Sequence, residues 1–384
     1  MFDYLIVGAG FSGAVLAERL ATQLDKKVLL IEQRNHLGGN AYDSLDQHGI
    51  RIHNYGPHIF HTNSAEVHSY LSQFSGWRPY EHRVQAEVEG EMVPIPFNFA
   101  GLDTHWGSSS RLMKAALVRE YGLSSSVPIL KLRKSQDARL RELAEFVFEA
   151  VFNGYTRKMW GRSPAELDEA VLARVPVRVS YDDRYFTDTY QAMPADGYTR
   201  MFERMLNHRN IEVRLSTPLS QVHGSQPEYW SKHLIYTGPL DEYFGFKHGH
   251  LPYRTLEFQF AHFNQDQVQP VGTINYPSLA QDYTRETEFK HLTGQQARGT
   301  TLCREIPREH VPGKTEPYYP VPCKESEEIR TKYEVEVKRV SQNVTFCGRL
   351  ADYRYYNMDQ AVARALQVFE RIANGRAATT ATCF

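Results

Sequence analysis

The chain has 384 residues, 41% of them hydrophobic, which is enough for two or three domains with a large buried core. Its 44 Lys and Arg balance 45 Asp and Glu, and the formal net charge of -1 excludes a general attraction to nucleic acid or to an anionic membrane. The four cysteines lack the spacing of a zinc site or a disulfide framework, and no apolar run reaches the length of a membrane span, so we expect a cytoplasmic protein without a metal.

The chain opens with a predicted strand, a glycine-rich turn and a helix. Residues 4–7 form a short apolar run, and Gly8, Gly10 and Gly13 follow with the spacing G-x-G-x-x-G. In this pattern the first glycine forms the tight turn, the second lets a pyrophosphate approach the backbone, and the third permits close packing of helix on strand. The predicted cofactor contacts here are Gly8, Gly10, Phe11, Ser12 and Gly13.

The second strand is predicted over residues 27–31 and ends at Glu32, where a carboxylate can accept hydrogen bonds from ribose hydroxyls. Arg34 and the Gly-Gly-Asn run at 38–40 favour FAD over NAD, because this run resembles the second glycine motif of two-dinucleotide flavoproteins. The alternative is a structural turn that opens an α/β domain without a ligand. The predicted cofactor contacts in this part are Glu32, Gln33, Gly39 and Asn40.

A loop rich in aromatic and imidazole groups follows at residues 55–62 and contains His58, Ile59 and His61. Residues 83–97 alternate and contain two prolines, which indicates strands at a sheet edge. Residues 98–152 then have apolar positions at helical spacing, which predicts a small helical domain packed around its own core.

The stretch from 154 to 176 contains a second helix start. Ser163, Pro164 and Glu166 have the pattern of an N-cap, a first-turn proline and a capping-box acid, which predicts a short helix to about residue 173. Arg174 stands at its end, in a segment bounded by Gly161 and Pro176 that we expect to move as a lid over a substrate.

The remaining elements return the chain to the dinucleotide fold by way of a second sheet. A helix at 197–207 and strands at 211–215 and 234–237 are predicted for the first fold. Residues 254–260, 271–276, 284–291 and 300–306 alternate polar and apolar side chains, which predicts a half-exposed antiparallel sheet that carries Arg285. A final helix over 358–373, with Asn357 as N-cap, would direct its positive end at the flavin.

Several segments together resemble the bacterial UDP-galactopyranose mutase family, and the resemblance spans nearly the whole chain. The segments are YGPHIFHT at 55–62, GYT at 154–156, WG at 160–161, RVPVR at 174–178, YTR at 283–285, PYYP at 317–320, GRL at 348–350 and YRY at 353–355. No single segment is decisive, but their shared order is specific.

The resemblance implies a flavin-dependent mutase that interconverts UDP-galactopyranose and UDP-galactofuranose. It implies that reduced FAD acts through N5 as the nucleophile on the anomeric carbon, with no net redox change, and that the chain forms a homodimer. Arg174 and Arg285 match the family positions that clamp the diphosphate of UDP, since guanidinium groups bind phosphate oxygens bidentately. The implied catalytic residues are Arg174, Arg285, Arg349, His58 and Tyr355. The implied substrate contacts are Phe152, Tyr155, Trp160, Arg174, Tyr185, Arg285, Tyr319, Tyr355, Asn357 and His82. The implied flavin contacts outside the glycine motifs are His58, Ile59, His61, Gly348, Arg349 and Met358.

Two departures from the family pattern qualify these roles. Asn357 stands where aspartate is common in the family, and His82 where asparagine is common. The first departure puts in doubt any role that requires a carboxylate there, so the chemistry is expected to depend on the flavin and on electrostatics. A flavin amine oxidase and a non-catalytic nucleotide-binding protein are the alternative functions.

The predicted fold class is α/β, a Rossmann-like FAD-binding domain with an inserted small helical domain and an antiparallel β-sheet substrate domain. The predicted FAD-binding domain combines residues 1–78, 192–246 and 335–384. The helical domain covers 98–152, and the sheet domain combines 79–97, 153–191 and 247–334.

Overall fold

The computed structural model describes residues 1–167, 176–223 and 231–375. The strands are β1 (Phe2–Val7), β2 (Val28–Ile31), β3 (Asp43–Leu45), β4 (Arg51–His53), β5 (Phe60–Thr62), β6 (Trp77–Pro79), β7 (Val84–Val88), β8 (Glu91–Ile95), β9 (Ser126–Val127), β10 (Val177–Arg178), β11 (Tyr190–Pro194), β12 (Ile211–Arg214), β13 (Ser231–Tyr236), β14 (Tyr253–Phe263), β15 (Thr273–Asn275), β16 (Arg285–Glu288), β17 (Thr300–Glu309), β18 (Tyr319–Pro320) and β19 (Val344–Phe346).

The helices are α1 (Phe11–Leu24), α2 (Ala65–Leu71), α3 (Phe99–Trp106), α4 (Ser110–Tyr121), α5 (Ile129–Leu132), α6 (Ala138–Val147), α7 (Gly154–Trp160), α8 (Tyr198–Leu206), α9 (Leu219–His223), α10 (Leu240–Tyr243), α11 (Phe289–Thr293), α12 (Lys324–Val340) and α13 (Met358–Ala373). A π-helical turn at Phe148–Asn153 joins α6 to α7, and short 3₁₀ turns lie at Gly39–Ala41, Gly107–Ser109 and Pro164–Glu166.

A parallel five-stranded sheet carries the glycine motif, in the order β12-β2-β1-β13-β19. Tyr4 of the central β1 pairs with Val28 on one side and with His233 on the other. Helix α1 packs against α8 and α13, and its apolar face contributes to the largest buried cluster of the protein. The Rossmann-like fold predicted from the glycine motif is confirmed.

The second sheet has seven strands in the order β18-β14-β17-β16-β15-β7-β8. Its strands are antiparallel except that β15 runs parallel to β7, with Thr273 opposite Val84. The predicted sheet is therefore confirmed with one parallel pair, which sequence alternation does not distinguish from an antiparallel one.

The strand predicted over 284–291 is wrong at its end, because β16 stops at Glu288 and helix α11 begins at Phe289. Phe289 and Leu292 are both fully buried, and a helix places residues three apart on one face whereas a strand places them on opposite faces. Gly294 in the left-handed region ends that helix.

The helical part is built mainly from α3, α4, α6 and the π-helical turn, which surround their own buried cluster. The apolar stripe predicted along this stretch is confirmed by Leu140, Leu143 and Val147, each at most 1% exposed. The three helical segments from α6 through the π-helical turn to α7 follow one another without a loop, so the aromatic residues of α7 are placed by the helical core.

At the next helix start, the Glu166 carboxylate accepts hydrogen bonds from the backbone N–H and hydroxyl of Ser163, as predicted. The rest of the helix expected to reach residue 173 lies outside the described residues. Within the three described ranges, no helix is long and apolar enough to cross a membrane.

Candidate active site

The glycine turn after β1 lies in close contact with α1, with the second glycine motif and with Thr237. Gly8 has a φ of +101°, and a Cβ there would stand 2.2 Å from the Thr237 hydroxyl. A Cβ on Gly13 would stand 1.9 Å from the Gly8 carbonyl oxygen, and one on Gly39 would stand 3.0 Å from the Cα of Gly10. Only residues without a side chain allow this turn to lie against α1 and the second glycine motif.

Glu32 at the end of β2 holds the two glycine motifs in register. Its carboxylate accepts backbone hydrogen bonds from Ala9 at 2.8 Å and from Arg34 at 2.9 Å. The Arg34 guanidinium donates to the Asn40 side-chain oxygen at 3.0 Å and pairs with Glu316. Each Glu32 oxygen retains a lone pair, which is what a ribose hydroxyl requires as its acceptor.

These segments surround a cavity of about 320 Å³, here called the glycine-loop cavity. The predicted cofactor contacts on its wall are Gly8, Gly10, Phe11, Ser12, Glu32, Gln33, Gly39, Asn40, His58, Gly348, Arg349 and Met358. Asn357 lies on the same wall at the start of α13, so the positive end of that helix adjoins the cavity.

A neighbouring cavity of about 650 Å³ shares part of this wall, including Arg34, Pro239 and Glu316. Together the two spaces are within the size range of pockets that bury a large cofactor. The glycine cradle, the α1 N-terminus and the acid at the end of β2 are donor and acceptor groups suited to a dinucleotide. The residues therefore fit FAD.

His58 is held as a neutral imidazole at the cavity wall. Its Nδ1 lies 2.9 Å from the Gly56 carbonyl, which can only accept, so Nδ1 carries the proton and Nε2 keeps its lone pair. Burial, with a smaller contribution from His53, lowers the pKa of His58 to about 3. Near neutral pH this ring can accept a hydrogen bond through Nε2 but cannot act as a general acid.

Arg285 forms a bidentate ion pair with Glu305 of the neighbouring strand. Its Nε and Nη2 donate to the two carboxylate oxygens at 2.6 and 2.8 Å. Burial opposes the charge of Arg285, but the Glu305 carboxylate outweighs that effect and holds the pKa of the guanidinium well above its usual range. The same carboxylate lies against the loop that carries His58, since a Cβ on Gly56 would stand 3.2 Å from it.

A cluster of aromatic rings lies beside Arg349. Tyr319 and Tyr355 stack at 5.3 Å between ring centres, and Trp160 of α7 lies 6.5 and 6.2 Å from them. The Arg349 guanidinium lies over both tyrosine rings, at 5.2 and 5.4 Å. Because Arg349 also lines the glycine-loop cavity, it connects that cavity to the aromatic cluster.

The charge of Arg285 acts on a second group of predicted residues. Its positive charge lies close enough to lower the pKa of the Tyr155 and Tyr319 hydroxyls and of the His58 and His82 rings, each in addition to the larger effect of burial. Burial raises the pKa of Tyr319 to about 12, so this hydroxyl stays protonated near neutral pH and can donate. Burial lowers the pKa of His82 to about 3, with Arg285 contributing, and its ring therefore stays neutral.

Two further predicted contacts lie at the edge of the helical core. Phe152 is 8% exposed and belongs to the buried helical cluster, and Tyr185 packs against that cluster. The Tyr185 and His82 rings meet edge to face with 5.9 Å between ring centres. Tyr185 therefore connects the helical core to the group around Arg285.

Some predicted residues lie away from the glycine-loop cavity. The His61 ring stacks on Phe186 and its Nδ1 lies 3.0 Å from Asp188. Ile59 packs against the large buried cluster, and Gly13 is covered by the Gly8 turn. Arg174 lies outside the described residues.

Glu305 is a candidate functional residue that the sequence did not identify. It is 1% exposed and is the partner that fixes the Arg285 guanidinium. The sequence does contain a sign of this pair, because Glu305 lies within a predicted strand. A carboxylate that faces a buried core requires a cation as its partner. In the part of the chain that the structure describes, no group of three or more His, Cys, Asp and Glu side chains could hold a metal ion.

Comparison with known proteins agrees with this arrangement. The family model described as UDP-galactopyranose mutase matches residues 150–355, and a model of NAD(P)-binding Rossmann-like domains matches residues 6–74. The protein named "Probable UDP-galactopyranose mutase" from Klebsiella pneumoniae is 37% identical over 95% of this chain and 93% of its own. The dTDP-fucopyranose mutase of Escherichia coli is 35% identical over 96% of this chain and 97% of its own.

A solved structure, that of a reduced UDP-galactopyranose mutase, covers 100% of this chain and 96% of its own with a TM-score of 0.74. Its sequence identity of 16% makes this a likeness of fold alone. On the family match and the two mutase relatives, the chain belongs to the UDP-galactopyranose mutase family, a family of isomerases that use a flavin cofactor.

Proposed function

We propose that this protein interconverts UDP-galactopyranose and UDP-galactofuranose while it holds reduced FAD in the glycine-loop cavity. The observation that carries the proposal is the position of Arg349, which lines that cavity and also lies over the stacked Tyr319 and Tyr355 rings. A sugar between these two places would lie beside both the flavin and a set of aromatic and cationic side chains. When bound, reduced FAD would supply N5 as the nucleophile towards the anomeric carbon, with no net redox change.

The chain's own residues would hold and stabilise the leaving nucleotide. Arg285 is fixed by Glu305 and carries a permanent charge, so it would stabilise the two charges of the departing diphosphate at no cost of reorganisation. The protonated Tyr319 hydroxyl would donate to the same group. Arg174 stays a predicted second member of this clamp.

The aromatic residues would bind the nucleotide and exclude water. Tyr155 and Trp160 lie on α7, one near Arg285 and the other beside Tyr319, so one helix would face the base, the diphosphate and the sugar. His58 would orient its neighbours by accepting at Nε2, and uncharged Asn357 would supply no carboxylate base.

The test is conversion of UDP-galactofuranose by the purified yellow protein, with and without dithionite, followed by chromatographic separation of the nucleotide sugars. We expect UDP-galactopyranose only from the reduced protein. Equal rates from oxidised and reduced protein, or purification without flavin, would contradict the proposal. Release of hydrogen peroxide from an amine would indicate an oxidase, and flavin binding without any turnover a binding protein.

The nucleotide and sugar specificity needs its own comparison, because identities of 37% and 35% do not separate the two relatives. The same assay should therefore include dTDP-fucofuranose and UDP-N-acetylgalactosamine. We expect the highest kcat/KM with UDP-galactofuranose. A higher kcat/KM with the dTDP sugar would reassign the substrate and leave the reaction class unchanged.

A further inference from the structure

Lys158 lies on α7 between the two aromatic residues proposed to contact the substrate, yet its own side chain turns to a different part of the chain. Its ammonium group lies within hydrogen-bonding distance of four backbone carbonyl oxygens of one loop, so at least one of its three N–H groups is shared between two of them. The acceptors are Tyr276, Ser278 at 2.7 Å, Gln281 at 3.2 Å and Tyr283 at 2.7 Å. A single cation thus occupies a ring of carbonyl oxygens, much as a bound metal ion would.

This loop joins β15 to β16 and ends directly before Arg285. It is closed by a backbone hydrogen bond from Tyr276 to Thr284 at 2.8 Å and by contact of the Tyr276 and Tyr283 rings at 4.8 Å. The position of the loop therefore fixes the place at which β16 begins. Lys158 is the cation that ties this loop to α7.

Gly154, at the start of the same helix, makes a second contact with the loop. A Cβ at that position would stand 2.2 Å from the Pro277 carbonyl oxygen, so the loop backbone lies directly on the helix. At the other end of α7, Arg254 donates to the carbonyls of Lys158 and Met159 at 3.1 and 2.9 Å. The short helix is thus held to the second sheet near both of its ends.

We propose that Lys158 is a positioning residue that sets the distance between the aromatic side chains of α7 and the Arg285 guanidinium. The inference rests on the proposed function, since it assumes that Tyr155 and Arg285 bind one UDP moiety from two sides. Without the ammonium group, four carbonyl oxygens would face one another with no donor, and their mutual repulsion would move the loop away from the helix. Arg285 and Tyr155 would then no longer meet the ligand together.

The experiment measures UDP affinity by calorimetry of the flavin-loaded protein, because this readout does not require turnover. For Lys158→Ala we expect the Kd for UDP to rise roughly tenfold to a hundredfold, the factor that corresponds to losing one hydrogen bond to a charged group, with flavin content unchanged. KM for the nucleotide sugar should rise by a similar factor and kcat should change less. An unchanged Kd would overturn the inference.

Chemical rescue separates the missing cation from general damage. Propylammonium chloride should restore part of the UDP affinity of Lys158→Ala, because a free ammonium group can enter the ring of carbonyls. Tetramethylammonium chloride at equal ionic strength has no N–H donor and should restore none. Equal effects of the two salts would contradict the role of the ammonium group.

Lys290 is a matched control, since its ammonium also donates to three backbone carbonyls, those of Asp266, Ala297 and Gly299 at 3.0, 2.7 and 3.0 Å. Lys290→Ala should lower Tm without changing the Kd for UDP. If both lysine variants weaken UDP binding equally, the effect is one of stability and the inference fails.

Gly154→Ala perturbs the same contact without removing a charge, and alanine is otherwise favoured in a helix. This variant replaces Lys158→Ala as the test if that protein does not fold, and it should also raise the Kd for UDP. A wild-type Kd in Gly154→Ala would overturn the inference. If the wild-type protein binds UDP but converts neither sugar, the proposed function is contradicted. The inference that Lys158 positions the UDP-binding residues would not be affected by that result.

Discussion

Replacing Arg285 by alanine tests whether its ion pair with Glu305 serves binding and catalysis or only stability. The Glu305 side chain is 2% exposed and that of Arg285 26% exposed, and two hydrogen bonds of 2.6 and 2.8 Å join them. Arg285→Ala removes both bonds and leaves a buried carboxylate without its cation. Two separate losses are therefore expected, one in stability and one in turnover.

The loss of stability follows from the burial of the pair. Removing one partner of a buried ion pair costs about 3–5 kcal/mol, and since water reaches a quarter of the Arg285 side chain, we expect about 3 kcal/mol. The loss of turnover follows from the electrostatics, because removing one preorganised group that stabilises a developing anion lowers kcat by about 10²–10³. Bound flavin should be retained.

The assay compares the single variant with Arg285→Ala/Glu305→Ala in urea unfolding and in turnover of UDP-galactofuranose. The double variant removes the unpaired charge, so it should recover most of the stability and none of the turnover. Arg304→Ala is the control, since its pair with Glu286 joins the same two strands but Arg304 is 49% exposed, and such a pair contributes about 0–1 kcal/mol. Turnover in the double variant, or wild-type kinetics in the single one, would refute the reasoning.

Three other predictions concern the cofactor cradle and the buried imidazoles. Gly13→Ala should abolish flavin binding, because its Cβ would lie 1.9 Å from the Gly8 carbonyl oxygen; the flavin absorbance of the purified protein measures this. Glu32→Gln should weaken flavin affinity about tenfold in titration of the apoprotein, since an amide presents only one of the two acceptors that now bind backbone N–H groups. The free energy of unfolding should fall as the pH drops from 6.5 towards 3, by about 1.4 kcal/mol per pH unit for each of His58 and His82. The reason is that both rings stay neutral in the folded protein and gain a proton on unfolding in this pH range. In urea unfolding at pH 5 and pH 7, His82→Asn should reduce the pH dependence of the unfolding free energy by the contribution of one ring. An unchanged pH dependence would contradict a neutral, buried His82.

The strand, turn and helix around the first glycine motif could be predicted from the sequence because their signal is local. The strand, turn and helix of the first glycine motif lie within 23 consecutive residues, from Phe2 to Leu24, and each glycine has a steric reason that can be read from spacing alone. The N-cap at Asn357 could be predicted for the same reason, because it depends on neighbouring residues. In the structure, the Asn357 backbone N–H donates to the side-chain oxygen of Gln360, three residues further on.

The partners across the second sheet could not be read in this way. The Arg285–Glu305 pair depends on the register of β16 against β17, and alternation of side chains does not specify which strand lies beside which. The predicted end of this strand was wrong because Phe289 alone fits the alternation, while only tertiary packing shows that Phe289 and Leu292 face one core from a helix. The Asp188 partner of His61 is likewise 127 residues away.

The order of the parallel sheet bears on how the protein is made. Its edge strand β19 pairs with β13, and the next helix, α13, packs on α1 and begins at the wall of the glycine-loop cavity. During synthesis on the ribosome, the first glycine turn therefore emerges hundreds of residues before the strand and helix that complete its site. The wall of the glycine-loop cavity is therefore complete only after the late segment has been made, and we expect a chain that stops before β19 to bind no flavin.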